Sequence, residues 1–328
     1  MDIGLTITVF ETAAWLKERD NFLILTHRRP DGDTIGCAGA LVQALREYGK
    51  TAYVLYNPEA TARYARFVDT YWSPEGYAHE NVIIVDTASK ELFPKNGREY
   101  LDTVSLCIDH HPSNTFFAQL TCIDNNRASC GELIYDILMT MCGHISAATA
   151  QCLYVALSTD TGCFAFANTT ADTLRIASLL IQAGAPHRDL NKTLFRTRTL
   201  GRVRVEAMIL SSLEFHFDGA VAISTITRDM LAKANSSEDD IDDIASIPGS
   251  IDGVLAGITI RELSSENDCK ISVRTSPSIN AHEICKRLGG GGHAMAAGAS
   301  LNLTISEIKK SLLAILCDFF PPKGGALP

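Results

Sequence analysis

The chain has 328 residues, 46% of them hydrophobic and 20% charged, with a formal net charge of −9. That length suits two domains, each with a core of its own. The acidic balance argues against a broad basic surface for long nucleic acid but leaves room for a small anionic substrate in a local site. The ten cysteines include no CxxC pair, the first residues lack a basic leader-like region, and no apolar run approaches the roughly 20 residues of a membrane span. A cytoplasmic protein with reduced thiols and no membrane partner is therefore expected.

In chain order, "ETAAWLKERDN" reads as a helix with an apolar stripe through Ala14 and Leu16, and "FLILTH" as a buried strand. "TIGCAGALVQALREYG" is helical and closes at Gly49. "TAYVLYN", "ENVIIVDTAS" and "TVSLCIDHHPSN" are further strands. Three helices follow, "SCGELIYDILMTMCG", "ATAQCLYVALSTDTG" and "TADTLRIASLLIQAGA", the last capped by Thr170 and ended by Gly184. Strands apolar throughout, alternating with helices, predict a parallel sheet covered on both faces. A helical, partly basic connector spans 187–214. Beyond it "GAVAISTIT", "IDGVLAGITIRE" and "CKISVRTS" read as strands, separated by an acidic loop and helix. "AHEICKRL" and "SEIKKSLLAILCDFF" are helices, and "PPKGGALP" is a frayed tail. The expected domains are 1–186 and 215–328, joined by that connector.

The polar residues cluster where the strands end. His27, Asp31 and Asp33 follow "FLIL", Asp86 follows "VIIV", Asp109, His110 and His111 close "VSLCI", and Asp160 follows "CLYVALST". In open parallel sheets ligands bind beyond these carboxyl ends. Any one aspartate there reads equally well as a turn residue or a helix N-cap, and Asp33 suits that role. Five carboxylates on one edge would repel and raise each other's pKa, a conflict that bound cations remove. Mixed Asp and His donors suit Mn²⁺ best, with Mg²⁺, Fe²⁺ or Co²⁺ as alternatives. The cysteines share none of these motifs.

"THRRPDGDTIG", "VDTAS", "IDHHPSN" and "STDTG", in that order, resemble the motifs of DHH phosphoesterases, and "GGGGHAMAAG" resembles the glycine-rich motif of the DHHA1 domain. The two-domain size is most similar to the NrnA-type branch, bifunctional oligoribonucleases and 3′-phosphoadenosine-5′-phosphate phosphatases. The resemblance implies an N-terminal DHH domain with a parallel sheet flanked by helices and a smaller α/β DHHA1 domain. It implies hydrolysis of short oligoribonucleotides or nucleoside bisphosphates by metal-activated water with two divalent cations. His27 and Asp31 would hold one ion and Asp33, His110 and Asp160 the other, with Asp86 bridging. His111 would contact the scissile phosphate or act as an acid, and Asp109 would orient a ligand. Gly290, Gly291, Gly292, His293 and Arg274 would bind the substrate's terminal phosphate or nucleotide, with Asn114 and Ser129 near substrate-contact positions. A cyclic-dinucleotide or linear pApA phosphodiesterase is the nearest alternative, and a non-catalytic nucleotide-binding regulator is the alternative of another class. A homodimer is left open.

Independently of the resemblance, the run Gly289–Gly292 lies between a helix and an apolar small-residue segment. That setting favours a rigid anion-binding loop over a linker, although no strand–GxGxxG–helix order is present. Asn280 and Glu283 form a capping pair for the preceding helix. His79, His144, His187, His216 and His282 fall outside the motifs and are read as structural or surface residues.

Overall fold

The computed structural model describes residues 4–241, 244–263 and 267–321. The chain divides after Thr197 into two compact units. The first runs through β1 (Leu5–Thr6), α1 (Val9–Glu18), β2 (Phe22–Leu25), α2 (Gly32–Glu47), β3 (Ala52–Val54), the single turn α3 (Ala62–Ala65), β4 (Asn81–Val85), β5 (Val104–Asp109) and β6 (Leu120–Ile123). Then come α4 (Cys130–Cys142), α5 (Ala147–Asp160), α6 (Ala171–Gln182) and α7 (His187–Asn191). Among the described residues its strands form one sheet in the order β1-β6-β5-β4-β2-β3, parallel at every pairing. After β2 the chain builds β3 on one side and β4, β5 and β6 on the other, so the order reverses between β2 and β4.

Alternation along the strands feeds two cores. Phe22, Ile24, Ile83 and Val85 point into the larger one, with Leu41, Ile134, Leu153 and Ile176 of the helices. Leu23, Leu25, Val82 and Ile84 point to the opposite face. Both faces are buried, as the unbroken apolar strands predict. The helices crowd one face, however, and the other is closed by Phe93, Tyr100, Leu101 and Phe117 from turns and loops. In α1 the buried stripe is Thr12, Ala13, Trp15 and Leu16, whereas Ala14 is exposed. α2 and α5 pack closely because small residues meet on their seam. A Cβ on Gly32 would lie 2.4 Å from the Thr159 side chain, and one on Gly36 would lie 2.5 Å from the Cys152 carbonyl oxygen. This contact places the C-terminal end of α5 beside the N-terminal end of α2.

The expected connector is not one element. α7 continues into a π-helical turn, Lys192–Arg196, while α8 (Leu200–Ser211) falls in the second unit. There α8 buries Val205 and Ile209 against Ile226, Ala234, Ile241 and Ile244. The second unit continues with β7 (Glu214–His216), β8 (Val221–Ile226), α9 (Arg228–Ala234), β9 (Ala256–Glu262), β10 (Asp268–Thr275), α10 (Ala281–Lys286), β11 (Gly291–Gly292), β12 (Ala296–Asn302) and α11 (Ile305–Leu316). Its sheet has the order β11-β12-β10-β9-β8-β7 and is antiparallel except between β8 and β9. The acidic stretch forms 3₁₀ turns, including Glu238–Ile241 and Pro248–Ser250, in place of a helix. Residues 322–328 of the expected tail lie outside the described residues.

The glycine run is part of this sheet. A Cβ on Gly290 would meet the Gly298 carbonyl oxygen at 2.2 Å, and one on Gly292 would meet Ala297 Cα at 2.6 Å. Close strand approach therefore accounts for two of these glycines, and the run is not a flexible linker. Asn280 caps α10 by accepting the amides of His282 and Glu283. His282, read as structural, holds the Gly292 carbonyl through Nδ1 at 2.9 Å.

Candidate metal centre

Because the sheet is parallel, β2, β4 and β5, adjacent in its centre, deliver their carboxyl ends to one edge. Side chains after β2 and β4 and at the end of β5 converge there with those at the start of α2 and the end of α5. Ligand atoms of His27, Asp31 and Asp86 lie within 4.8 Å of one another, as do those of Asp33, His110 and Asp160, and those of Asp86, His110 and His111. Asp86 is common to two of these groups. His27 Nε2 is 3.7 Å from Asp31 Oδ1 and 3.8 Å from Asp86 Oδ2. His110 Nε2 is 3.5 Å from Asp86 Oδ1, 3.7 Å from Asp160 Oδ2 and 3.8 Å from Asp33 Oδ2. These separations are too long for hydrogen bonds.

The donor set fits divalent cations on three counts. Both imidazoles are fixed by the far nitrogen: His27 Nδ1 donates to the Arg28 carbonyl at 2.7 Å and His110 Nδ1 to the Arg127 carbonyl at 3.1 Å. In the neutral tautomer that leaves the Nε2 lone pair aimed at the carboxylates, the arrangement metal-ligating histidines adopt. Asp86 is only 3% exposed, yet its Oδ1 has no hydrogen-bond partner among the described residues, a vacancy that costs about 1–3 kcal/mol. Its backbone also sits in the left-handed region, with φ 52°, a strain that clusters at functional sites. Third, burial pushes Asp33 and Asp86 well above the ordinary carboxylate range, and neighbouring carboxylates push the same way. Burial also raises Asp160, against the pull of His110. A positive charge among these acids resolves the conflict.

Neighbouring groups set the remaining electrostatics. Burial works against ionisation of Asp31 and protonation of His27, yet their mutual attraction prevails and holds Asp31 low and His27 high. Asp31 also caps α2, where one carboxylate oxygen accepts the amides of Asp33 and Thr34. The cap expected of Asp33 thus belongs to Asp31. Asp33 instead reaches the start of α4, accepting from Cys130 N at 2.7 Å and Gly131 N at 3.0 Å, with Cys37 Sγ 3.2 Å away. Burial pushes the Cys37 thiol well up and the Cys130 thiol up to about 11, so these sulfurs stay neutral and are poor ligands.

Asp109 is fully buried and accepts from His111 Nδ1 at 2.8 Å, the His110 amide at 2.9 Å and Asn114 Nδ2 at 2.7 Å. The bond to Asp109 raises His111, and the His111 and Asn114 bonds hold Asp109 low in spite of its burial. Two residues expected near substrate-contact positions are buried. Asn114 is 8% exposed, and its amide bonds Asp109, the Thr87 carbonyl and the Phe116 amide; it orients Asp109. Ser129 is fully buried at the N-cap of α4, where its side chain caps no amide and Asp33 accepts those of Cys130 and Gly131. In the second unit Arg274 is exposed near the end of β10, paired with Ala296 of β12. His293 is likewise exposed and closes the β11–β12 turn through reciprocal backbone bonds with Ala296. The sheet thus brings Arg274 and the glycine-loop histidine to one end.

Sequence matching agrees with this architecture. The DHH family N-terminal domain matches residues 21–157 and the DHHA1 domain residues 218–320. The chain belongs to the DHH family of phosphoesterases. It is 31% identical over 278 residues to the bifunctional oligoribonuclease and PAP phosphatase NrnA of Thermus thermophilus, covering 85% of this chain and 83% of that one. It is 29% identical over 291 residues to the NrnA of Bacillus subtilis, covering 86% and 90%. The fold is that of an exopolyphosphatase-related protein from Bacteroides fragilis, with a TM-score of 0.81 at 23% identity, over 95% of this chain and 96% of that one. No described helix is long and apolar enough to cross a membrane.

Proposed function

We propose that this chain hydrolyses short oligoribonucleotides to mononucleotides, and 3′-phosphoadenosine-5′-phosphate to AMP and phosphate, in the cytoplasm, with two divalent cations, of which Mn²⁺ suits the mixed imidazole and carboxylate donors best. The observation that carries this reading is the overlap of the donor groups on Asp86. His27, Asp31 and Asp86 would hold one ion, and Asp33, His110 and Asp160 the other, with Asp86 shared. When bound, such a pair lowers the pKa of water and neutralises charge developing on the phosphoryl oxygens.

The chain's own residues do the rest. Asp86 offers one oxygen to each side of the site. His111, 42% exposed, bonds Asp109 through Nδ1; the doubly protonated ring that this bond favours can give its Nε2 proton to the leaving oxygen and return to the neutral form. Asp109 and Asn114 hold that ring in place. Asn114→Ala should therefore lower kcat about 10-fold with KM unchanged, and lower stability by about 1–3 kcal/mol. Steady-state kinetics at saturating metal, paired with denaturant melts, check this; a change confined to KM would remove Asn114 from the relay. In the second unit the exposed Arg274 and His293, with the adjoining run Gly290, Gly291 and Gly292, would take a terminal phosphate. The acidic surface then disfavours long nucleic acid.

The test is an assay of the purified protein with MnCl₂ against pAp, pApA, a five-nucleotide RNA, a long RNA and cyclic di-AMP, repeated with Arg274→Ala. Phosphate from pAp and mononucleotides from the short RNA are expected, with a higher KM in the variant. Turnover of cyclic di-AMP alone would replace this reading, and metal binding without turnover of any substrate would favour a regulator.

A further inference from the structure

One charged cluster stands outside the groups that would touch metal or substrate. Arg127 leaves the loop after β6 and is 21% exposed. It meets three carboxylates from three parts of the first unit. Its Nε donates to Asp124 at 3.0 Å, its Nη1 to Asp172 of α6 at 2.9 Å, and its Nη2 to Asp136 of α4 at 2.5 Å. Glu132, buried on α4, adds a fourth acid at 4.0 Å. An exposed ion pair contributes little, but a guanidinium fork spread over three fixed acceptors is an anchor.

What it anchors is specific. The Arg127 carbonyl accepts His110 Nδ1. The carbonyl of Ala128 accepts Asn168 Nδ2 at 3.0 Å, and the same amide reaches the Asp160 carbonyl at 3.1 Å. The amides of Cys130 and Gly131 hold Asp33. Four residues of the five-residue segment 127–131, namely Arg127, Ala128, Cys130 and Gly131, thus touch, directly or through Asn168, each of Asp33, His110 and Asp160. None of these hydrogen bonds involves His27, Asp31 or Asp86.

We propose that Arg127 is a positioning residue that pre-sets the Asp33–His110–Asp160 metal position, leaving the His27–Asp31–Asp86 position to form without it. The inference rests on the reading of these groups as a two-cation centre. Orienting groups behind metal ligands are worth about 10–100-fold in affinity, and here that factor falls on one of the two ions.

The experiment titrates metal-free full-length protein with MnCl₂, followed by calorimetry and by electron paramagnetic resonance, for wild type, Arg127→Ala, Arg127→Lys and Asp172→Asn. Wild type should take up two ions per chain. Arg127→Ala should bind the first ion with unchanged affinity and the second about 10–100-fold more weakly, with the spectrum of an isolated ion at one equivalent. Arg127→Lys, which keeps the charge and loses the fork, should fall between. If Arg127→Ala does not fold, selective weakening of one ion in Arg127→Lys and Asp172→Asn supports the proposal. Two ions bound as in wild type, or both weakened equally, in any folded Arg127 variant would overturn it, as a merely structural anchor would only lower the melting temperature. A wild type that binds no Mn²⁺ would bring down the two-cation reading itself, and this inference with it.

Discussion

Replacing Asp86 with asparagine is expected to abolish turnover while making the metal-free protein more stable. The carboxylate lies near the Nε2 atoms of both His27 and His110, at 3.8 Å and 3.5 Å. An amide cannot supply anionic oxygens to two cations, so a fall of about 10³-fold or more in kcat follows, equivalent to about 4 kcal/mol of barrier. Without metal the same carboxylate is a burden, with one oxygen unpartnered and its pKa raised by burial and by Asp33 and Asp31. A folded-state pKa above the unfolded value means that ionisation opposes folding at neutral pH. Removing the ionisable group removes that opposition, a gain of about 1–3 kcal/mol, or about 2–4 °C per kcal/mol for a unit of this size. Melting curves in EDTA and a Mn²⁺-saturated rate measurement decide it. A variant that keeps wild-type turnover, or that melts lower than wild type in EDTA, would show that Asp86 is an ordinary structural acid.

The donors themselves were legible because they lie in short runs at the ends of apolar strands, where chain order and sheet direction fix which edge they reach. His27, Asp86 and His110 needed only that rule. Asp160 is different: it arrives on a helix, and its approach depends on Gly32 and Gly36 letting α5 close on α2, a contact between residues more than a hundred apart. The strands β1, β6 and β12 were not readable. β1 is two exposed residues, β6 is four residues without alternation in the sequence, and β12, "AAGASLN", is made of small residues that carry little strand preference. Its place is set by pairing with β10 over seven residues. The burial of Asn114 and Ser129 was not readable for a related reason. The resemblance places both near substrate-contact positions, but burial comes from tertiary packing, which short motifs do not show. Arg127 has a local partner in Asp124, but its place behind the site depends on Asp172, 45 residues away, and on the fold bringing its carbonyl to His110.

Stripping the metals should destabilise the protein at pH 8 far more than at pH 5.5. At a thousandfold excess over Kd a bound ion contributes about 4 kcal/mol, so EDTA should lower the melting temperature at pH 8 by roughly 8–16 °C. Two sets of groups then act in the same direction as pH falls. Asp33, Asp86 and Asp160 have raised folded-state values, so the metal-free fold takes up protons more readily than the unfolded chain and gains stability on acidification. His27 and His111 are also raised; their contribution is fully present below the ordinary histidine value and is lost as pH rises through the folded-state one. Over the same interval protons compete with cations for the ligands, and the loaded form loses its advantage. The gap between loaded and stripped protein should therefore shrink to less than half by pH 5.5. Asp31 and Asp109, held low, reverse the trend only under stronger acid, where their neutralisation removes stability from the folded state. Differential scanning calorimetry across this range, with and without EDTA, reads the sign directly. A gap that widens toward pH 5.5, or no effect of EDTA at pH 8, would mean that these seven side chains do not share their edge of the sheet with cations.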